Sequence, residues 1–599
     1  MRDRLLDYLE DVVSQAKERA RAFVEGEKAF RLDGLLTEAF HPRTRELSQV
    51  MQADVHAGIR LLQSVDEDIP AALDRIFAQE SFGRLVEALR EAIVTGRRVF
   101  FTGCGATGRL SILLEATWRE FWRTRASPDD CLGQARGPAP TGRLDDLCVS
   151  VMAGGDFALI KSVEGFEDFA DFGRHQLKEA GVQRGDVVVA ITEGGETPFV
   201  IGTAWQGLEA GATLFFVYNN PTDLLRSHVQ RSREVIDEPR IHKLDLATGP
   251  MAIAGSTRMQ ATTTELLVVG AAMEMALAHI GSGQARGPAP TGLPDMTVAD
   301  YQRLFVRVLG QLSAPDAVDS LARAVQLEEQ VYRRGGLVTY LADSLMLDVL
   351  TDTTERSPTF MVPPFRGAGD SDLPASWAFV KNPYLPTEQA WRQMLQREPR
   401  GLNWGGEVYR QLNAPAMLQA NPPKLDNAEI YRFRIGNEPD SSRTNAPDSA
   451  LLFMGSSRMG HPPIPCLGHD FKKTVAISFG SSAEPLDVDE NVHIACDLPA
   501  SPLRLWEHLA IKLVLNTIST ATMVRMGRVE GNAMVWVSPG NKKLIDRGTR
   551  LIARATGLSY KRACEALFEA MDEVARRSQS GETVPSPVAL AIERVRSRP

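Results

Sequence analysis

Val99-Phe-Phe-Thr-Gly103-Cys-Gly105-Ala-Thr107-Gly108-Arg109-Leu110 is the stretch that decides the fold. Its apolar opening at 99–101 predicts a buried strand, and Arg109-Leu-Ser-Ile-Leu-Leu-Glu115 predicts the start of a helix. Glycines at 103, 105 and 108 allow a tight turn between them. A strand, a glycine turn and a helix N-terminus in that order bring backbone N–H groups onto a phosphate. Taken alone, the turn fits a dinucleotide or a sugar phosphate.

A dinucleotide site also needs an acidic residue about twenty positions further on, at the end of the next strand, to hold a ribose. Asp129 and Asp130 fall near that distance, but in a Ser-Pro-Asp-Asp loop with no strand leading into them. A phosphosugar site instead needs several hydroxyl or N–H donors converging on one anion. Three strand-to-helix turns in the same block supply them. The first holds Gly105, Ala106, Thr107 and Gly108. Thr192 and Thr197 lie in Ile191-Thr-Glu-Gly-Gly-Glu-Thr-Pro198, and Ser256 and Thr257 in Gly255-Ser-Thr-Arg-Met259. Any one of these hydroxyls could simply cap its helix. In an open parallel sheet, however, such turns gather at one edge, where ligands bind.

Outward from this turn, residues 1–95 read as helices, with apolar residues at helical spacing in Leu5–Val13 and Leu73–Ile93. Strand candidates follow at Val99–Thr102, Val149–Ala153, Asp186–Thr192, Thr213–Tyr218 and Ile241–Leu246. A second alternating block offers Leu337–Ala342, Ala378–Lys381, Glu429–Ile435, Leu451–Met454, Thr474–Phe479 and Val492–Ala495. Short apolar strands between helices predict parallel sheets covered on both faces. The chain is therefore expected to be α/β: a helical segment at 1–95, α/β domains at 96–295 and 296–539, and helices at 540–599. Its 599 residues exceed one core, and the usual domain size suggests about three to five units.

Composition narrows the partners. A formal net charge of −9 and no long Lys/Arg run argue against nucleic acid. Charges break the apolar stretches short of the roughly 20 residues that span a bilayer, so no membrane segment is expected. The N-terminus mixes acids and bases on an amphipathic pattern, unlike a secretion signal. Cysteines 104, 131, 148, 466, 496 and 564 have no paired spacing, which predicts a reduced, cytoplasmic setting. Cys104 reads as a small residue suited to a tight turn. The ten histidines show no ligand spacing, so neither a metal nor a cofactor is expected. The decapeptide Gly-Gln-Ala-Arg-Gly-Pro-Ala-Pro-Thr-Gly occurs at both 133–142 and 283–292, and its proline and glycine content predicts surface-loop insertions.

These motifs together resemble the sugar isomerase (SIS) domain. More closely, they resemble the family of N-acetylmuramic acid 6-phosphate etherase and glucokinase regulatory protein. The resemblance rests on Gly103-Cys-Gly-Ala-Thr-Gly-Arg-Leu, Ala153-Gly-Gly-Asp, Val163-Glu-Gly-Phe-Glu167-Asp168, Gly195-Glu-Thr-Pro-Phe and Gly255-Ser-Thr-Arg-Met. In the second block, Asp352-Thr-Thr-Glu355-Arg-Ser-Pro-Thr-Phe360 is similar to the etherase signature Asp-Ala-Ser-Glu-Cys-Pro-Pro-Thr-Phe. Leu513–Asn532 and Asn541-Lys-Lys543 resemble the family's C-terminal region. The match runs from about residue 45 to 575.

The resemblance implies two tandem SIS domains with a helical N-terminal segment and a helical C-terminal cap. That is an intramolecular pseudo-dimer, monomeric or further paired as a homodimer. It implies a sugar 6-phosphate ligand and makes Glu167 and Glu355 the catalytic pair of an etherase-like lyase. Lys543 would bind sugar hydroxyls. The second half has Tyr340-Leu-Ala-Asp-Ser-Leu-Met346 where phosphate-loop glycines are expected, and the first half has Thr117 where the signature glutamate is expected. One complete site is thus expected from both halves. Glu193 and Glu196 add negative charge beside the phosphate turns, which counts against anion binding unless they point away. The alternative is a non-catalytic regulator that responds to fructose phosphates and binds a partner protein such as a sugar kinase. An aldose–ketose isomerase is a third reading.

Overall fold

The computed structural model describes residues 15–125, 143–163, 165–282, 295–456, 470–482, 485–579 and 585–597. Both decapeptide copies, the Leu5–Val13 pattern, Cys131 and Cys466 lie outside the described residues.

Two five-stranded sheets carry the architecture. The first contains β1 (Val99–Gly103), β2 (Cys148–Met152), β3 (Val187–Thr192), β4 (Thr213–Tyr218) and β5 (Ile241–Asp245). Its spatial order is β2-β1-β3-β4-β5. The second contains β6 (Leu337–Leu341), β7 (Ala378–Lys381), β8 (Ser449–Ser456), β9 (Lys473–Gly480) and β10 (Glu490–Ala495), in the order β10-β9-β8-β6-β7. Counted within its own unit, each sheet reads 2-1-3-4-5, and every pairing is parallel. Parallel neighbours require crossovers, and helices supply them on both faces, so β1 and β3 are buried along their whole length. In this order the chain reverses direction between the first and third strands, and the crevice beyond their C-terminal ends is where ligands bind.

Ten of the eleven strand candidates fall on these strands, with boundaries shifted by a few residues. Glu429–Ile435 is the correction. It folds as a short helix, Asn427–Tyr431, capped by the Asp426 side chain, followed by a turn. Ile430, Phe433 and Ile435 are buried as a strand's inner face would be. The Trp391 indole N–H donates to the Phe433 carbonyl at 3.2 Å, the Lys381 ammonium of the edge strand to the Arg434 carbonyl at 3.0 Å, and Asn382 N, just past that strand, to the Ile435 carbonyl at 2.6 Å. A period-two pattern was satisfied by packing without a ladder.

The units meet through corresponding helices. Ala106–Arg125 follows β1 and packs against Met346–Phe360, which follows β6; Gln260–Ser282 packs against Leu505–Arg525. One continuous apolar cluster, from Leu85 and Val99 to Val338 and Ile518, runs through both units. Among the described residues, one helix is long and apolar enough to cross a membrane: Gln260–His279, with mean hydropathy 1.3. This corrects the expectation that every apolar stretch is too short. Most of that helix is buried inside the protein, against Glu80–Thr95, Leu505–Arg525 and Ala106–Arg125.

A segment after the helix Thr387–Leu395 leaves the second sheet and covers the first unit. Trp404, Tyr409 and Leu425 join the first unit's second apolar cluster. Trp404 stacks on Phe166 with ring centroids 5.6 Å apart. Arg400 and Arg397 both reach the buried Glu115 of the Ala106–Arg125 helix, at 2.8 and 3.1 Å.

Candidate functional site

A cleft of about 430 Å³ opens at the C-terminal ends of β1 and β3, and both units line it. Its first wall is the glycine turn. A Cβ on Gly103 would come within 2.4 Å of the Thr107 backbone, so only glycine lets the turn close on itself. Gly105 has φ +58°, and the space where its Cβ would stand is open. Gly105 and Ala106 therefore face the cleft at the start of the Ala106–Arg125 helix. Thr107 does not. Its hydroxyl donates to the Cys104 carbonyl at 2.9 Å and accepts from Cys104 N at 3.0 Å, fully buried under the turn. Gly108 packs against Met152. These two residues build the turn rather than line the cleft.

The turn after β3 divides in the same way. Thr192 is buried and donates to Thr197 Oγ1 at 3.1 Å. Thr197 itself lines the cleft as the residue preceding helix Pro198–Ala210, whose N1 proline suits a helix start. Ser256 and Thr257 line the cleft just before Gln260–Ser282, in a turn docked on the second unit by Ala254 N to the Asn532 carbonyl at 3.0 Å. Three helix N-termini thus converge on one opening, which favours an anion.

The carboxylates come from separate elements. Glu167 sits in the short turn Phe166–Asp168, Glu355 on Met346–Phe360, and Lys543 on Lys542–Thr556; all three line the same cleft. Glu355 is buried, with Oε1 3.8 Å from Arg109 Nη1. Burial raises its pKa above the usual carboxylate range, against the pull of Arg109, Arg258 and Lys512. Cys104 Sγ lies 3.6 Å from Glu167 Oε2, and burial pushes the thiol up, followed by the charges of Glu167 and Glu193. Lys543 Nζ is 3.0 Å from Glu196 Oε1. Against the cost of burial, Glu196, Glu167 and Glu38 hold that ammonium above its ordinary range.

The added glutamates of the β3 turn behave differently from each other. Glu196 is turned into ion pairs with Lys543 and Arg231, the latter at 2.5 Å. Despite burial, those two cations keep its carboxyl below the usual range. Glu193 lines the cleft. The motif reading missed Arg109, Arg258 and Arg547 as cleft residues. The first two directly follow the phosphate-type turns, and that position was the available signal. Arg547 lies one helical turn after Lys543 and is held by the buried Glu38 at 3.0 Å.

With this geometry the chain can be set beside known proteins. Residues 82–206 match the glucokinase regulatory protein N-terminal SIS domain. An N-acetylmuramic acid 6-phosphate etherase of Cutibacterium acnes is 30% identical over 291 residues, covering 48% of this chain and 83% of the relative. The chain belongs to this SIS-domain etherase family. Another family member, from Clostridium acetobutylicum, is 28% identical over 293 residues, covering 49% of this chain and 85% of its own. In each case the relative matches about half of this chain. Among solved structures, the C-terminal domain of glucosamine-fructose-6-phosphate aminotransferase from Francisella tularensis overlays with TM-score 0.40 and 11% identity, covering 77% of this chain and 95% of that one.

Proposed function

We propose that this protein binds a sugar 6-phosphate between its two units and acts on it as an etherase-type carbon–oxygen lyase. N-acetylmuramic acid 6-phosphate is the substrate that the named relatives suggest. The observation that carries the reading is that Glu167 and Glu355, from different units, line one cleft with the glycine turn. The phosphate is assigned to Gly105, Ala106, Thr197, Ser256 and Thr257, at three helix starts. Lys543 is assigned to the sugar hydroxyls. The domains are assigned as 96–295 and 296–539 with helical ends, an intramolecular counterpart of a dimer.

In the reaction, Glu167 as carboxylate takes the proton from the carbon next to the open-chain sugar aldehyde. Glu355, whose burial favours the protonated form, gives its proton to the ether oxygen as the carbon–oxygen bond breaks and lactate leaves. A carbon–carbon double bond remains. Water adds across it, losing a proton to Glu355 while Glu167 returns its own to the sugar. Both carboxyls end as they began.

Incubation with N-acetylmuramic acid 6-phosphate tests this. Lactate release that disappears in both Glu167→Ala and Glu355→Ala supports the lyase. Phosphosugar binding without lactate supports the second reading, a regulator of a partner protein. That reading draws on the match to the regulatory protein's SIS domain at 82–206. Absence of any phosphosugar binding overturns both.

A further inference from the structure

Among the described residues, Glu193 is the one acidic residue lining the cleft that the proposed reaction leaves unused. It is 7% exposed and lines the cleft at the C-terminal end of β3. Among the described residues no other side chain hydrogen-bonds its carboxyl; its own backbone N–H lies against it. Behind it stands Glu265 of the Gln260–Ser282 helix, fully buried. Asn219 donates to one Glu265 oxygen at 2.6 Å, while the other has no hydrogen-bond partner.

The charges facing Glu193 come from every element around the cleft. Glu167 stands on the short turn, Glu355 on Met346–Phe360, Glu265 behind, and Cys104 and Arg109 on the glycine turn and its helix. The nearby cations are occupied. Lys543 pairs with Glu196, and Arg109 stands beside Glu355. A carboxylate here would have three acidic neighbours, no side-chain donor, and then a phosphate dianion brought alongside. Like charges at such distances repel strongly in a low-dielectric cleft. A carboxylic acid in the same place would donate a hydrogen bond to an anionic oxygen instead.

We propose that Glu193 is a ligand-contacting, specificity-determining residue that presents a protonated carboxyl to the bound anion, so that a phosphosugar binds with uptake of a proton. This rests on the phosphosugar reading above and adds to it a residue and a protonation state. It also accounts for a glutamate at an anion-binding turn: the group repels the ligand only when it is ionised. Burial is the main cause of its elevated pKa, about 7, with Glu355 and Glu167 adding to it and Lys543 opposing. The free protein therefore carries this charge in part at neutral pH and discharges it on binding.

The test is calorimetric titration of the full chain with fructose 6-phosphate at pH about 8, where a phosphomonoester is a dianion because its second pKa is about 6. Repeating it in buffers of different ionisation enthalpy counts the protons exchanged. The expected result is uptake of close to one proton in the wild type and close to none in Glu193→Gln. The variant's affinity should also vary less between pH 6 and 8 than the wild type's. Equal proton counts in the two proteins overturn the inference and leave the phosphosugar reading intact. No binding by wild type of either fructose 6-phosphate or N-acetylmuramic acid 6-phosphate overturns both.

A ligand-free measurement guards against a poorly folded variant. Folding takes the Glu193 carboxyl from the ordinary 4.5 to about 7. Between those values the folded state keeps a proton that the unfolded state has lost, so stability falls as pH rises, and levels off above. The melting temperature of wild type should fall relative to Glu193→Gln across that window. A difference independent of pH overturns the inference.

Discussion

Arg258 Nη1 lies 2.9 Å from Asp352 Oδ1, tying the Ser256-Thr257 turn of the first unit to the Glu355-bearing helix of the second. Ser519 donates to the same oxygen at 2.7 Å, and the other Asp352 oxygen accepts from Arg356, which also bonds the buried Glu328 at 3.0 Å. Burial disfavours the Asp352 carboxylate, but Arg356 and Arg258 together hold its pKa below the usual range. Glu355 is one helical turn from Asp352, so this pair fixes the distance between a proposed anion-binding turn and a proposed catalytic carboxyl.

Removing Asp352 alone should therefore be worse than removing both partners. Asp352→Leu leaves the buried Arg258 guanidinium without its hydrogen-bonded carboxylate, a loss of about 3–5 kcal/mol, whereas Arg258→Met should cost less because Asp352 keeps Arg356. Urea unfolding should show a lowered midpoint for each, with the double variant recovering part of it. Lactate release should fall in the single variants beyond what stability explains. A double variant no better than the sum would mean that the pair contributes little.

Thr107 acts through the turn, and its substitutions should separate shape from contact. Thr107→Ser keeps both bonds to Cys104 and should bind phosphosugar nearly as wild type does. Thr107→Val leaves the Cys104 N–H without its acceptor, costing about 1–3 kcal/mol for a buried donor. It should weaken phosphosugar binding and lower the melting temperature together. Weakened binding at unchanged stability would instead indicate direct contact with the ligand.

Trp404 reaches over from the second unit to stack on Phe166, the neighbour of Glu167. Its indole N–H donates to Glu179 at 2.7 Å. Trp404→Ala should cost about 3–5 kcal/mol as a buried aromatic truncation. It should also lower kcat by loosening the turn that presents Glu167. Trp404→Phe should restore much of both, and failure of the rescue would point to the Glu179 bond rather than the stacking.

Activity should fall on the alkaline side. Burial raises the Glu355 pKa, so the group retains its proton where an ordinary carboxyl is ionised. As pH rises through that raised value, the acid is lost and kcat/KM declines. Glu355→Gln cannot deliver a proton and should reduce lactate release by about 10²–10⁴. A wild-type profile flat through the neutral and alkaline range would remove Glu355 from the acid's role.

Much of the fold was legible because parallel strands between helices are short, apolar and bounded by turns. β7 was read at its full extent as Ala378–Lys381, and β1 to within one residue. Glu429–Ile435 misled because alternation reports which side chains are buried, not whether a neighbouring backbone is free to pair. Of the site, the turns and the glutamates were legible as motifs. Which hydroxyl faces the ligand was not. Thr107 and Thr197 are equal as letters, yet one is tied under its turn and the other lines the opening. Glu196 looked like a repulsive charge until Lys543 and Arg231 were seen to hold it.

The order of residues alone determined that glycine turns lead into helices, that two α/β units follow one another, and that an acidic residue stands in each half at a family position. Those are local properties, set by backbone sterics and by the spacing of apolar side chains. Only the tertiary structure decided that Glu167 and Glu355 share a cleft, that Arg109, Arg258, Lys543 and Arg547 each stand against a carboxylate there, and that no described side chain hydrogen-bonds the Glu193 carboxyl among them. Charge compensation depends on distances between residues far apart in the chain, and packing the two units together sets those distances.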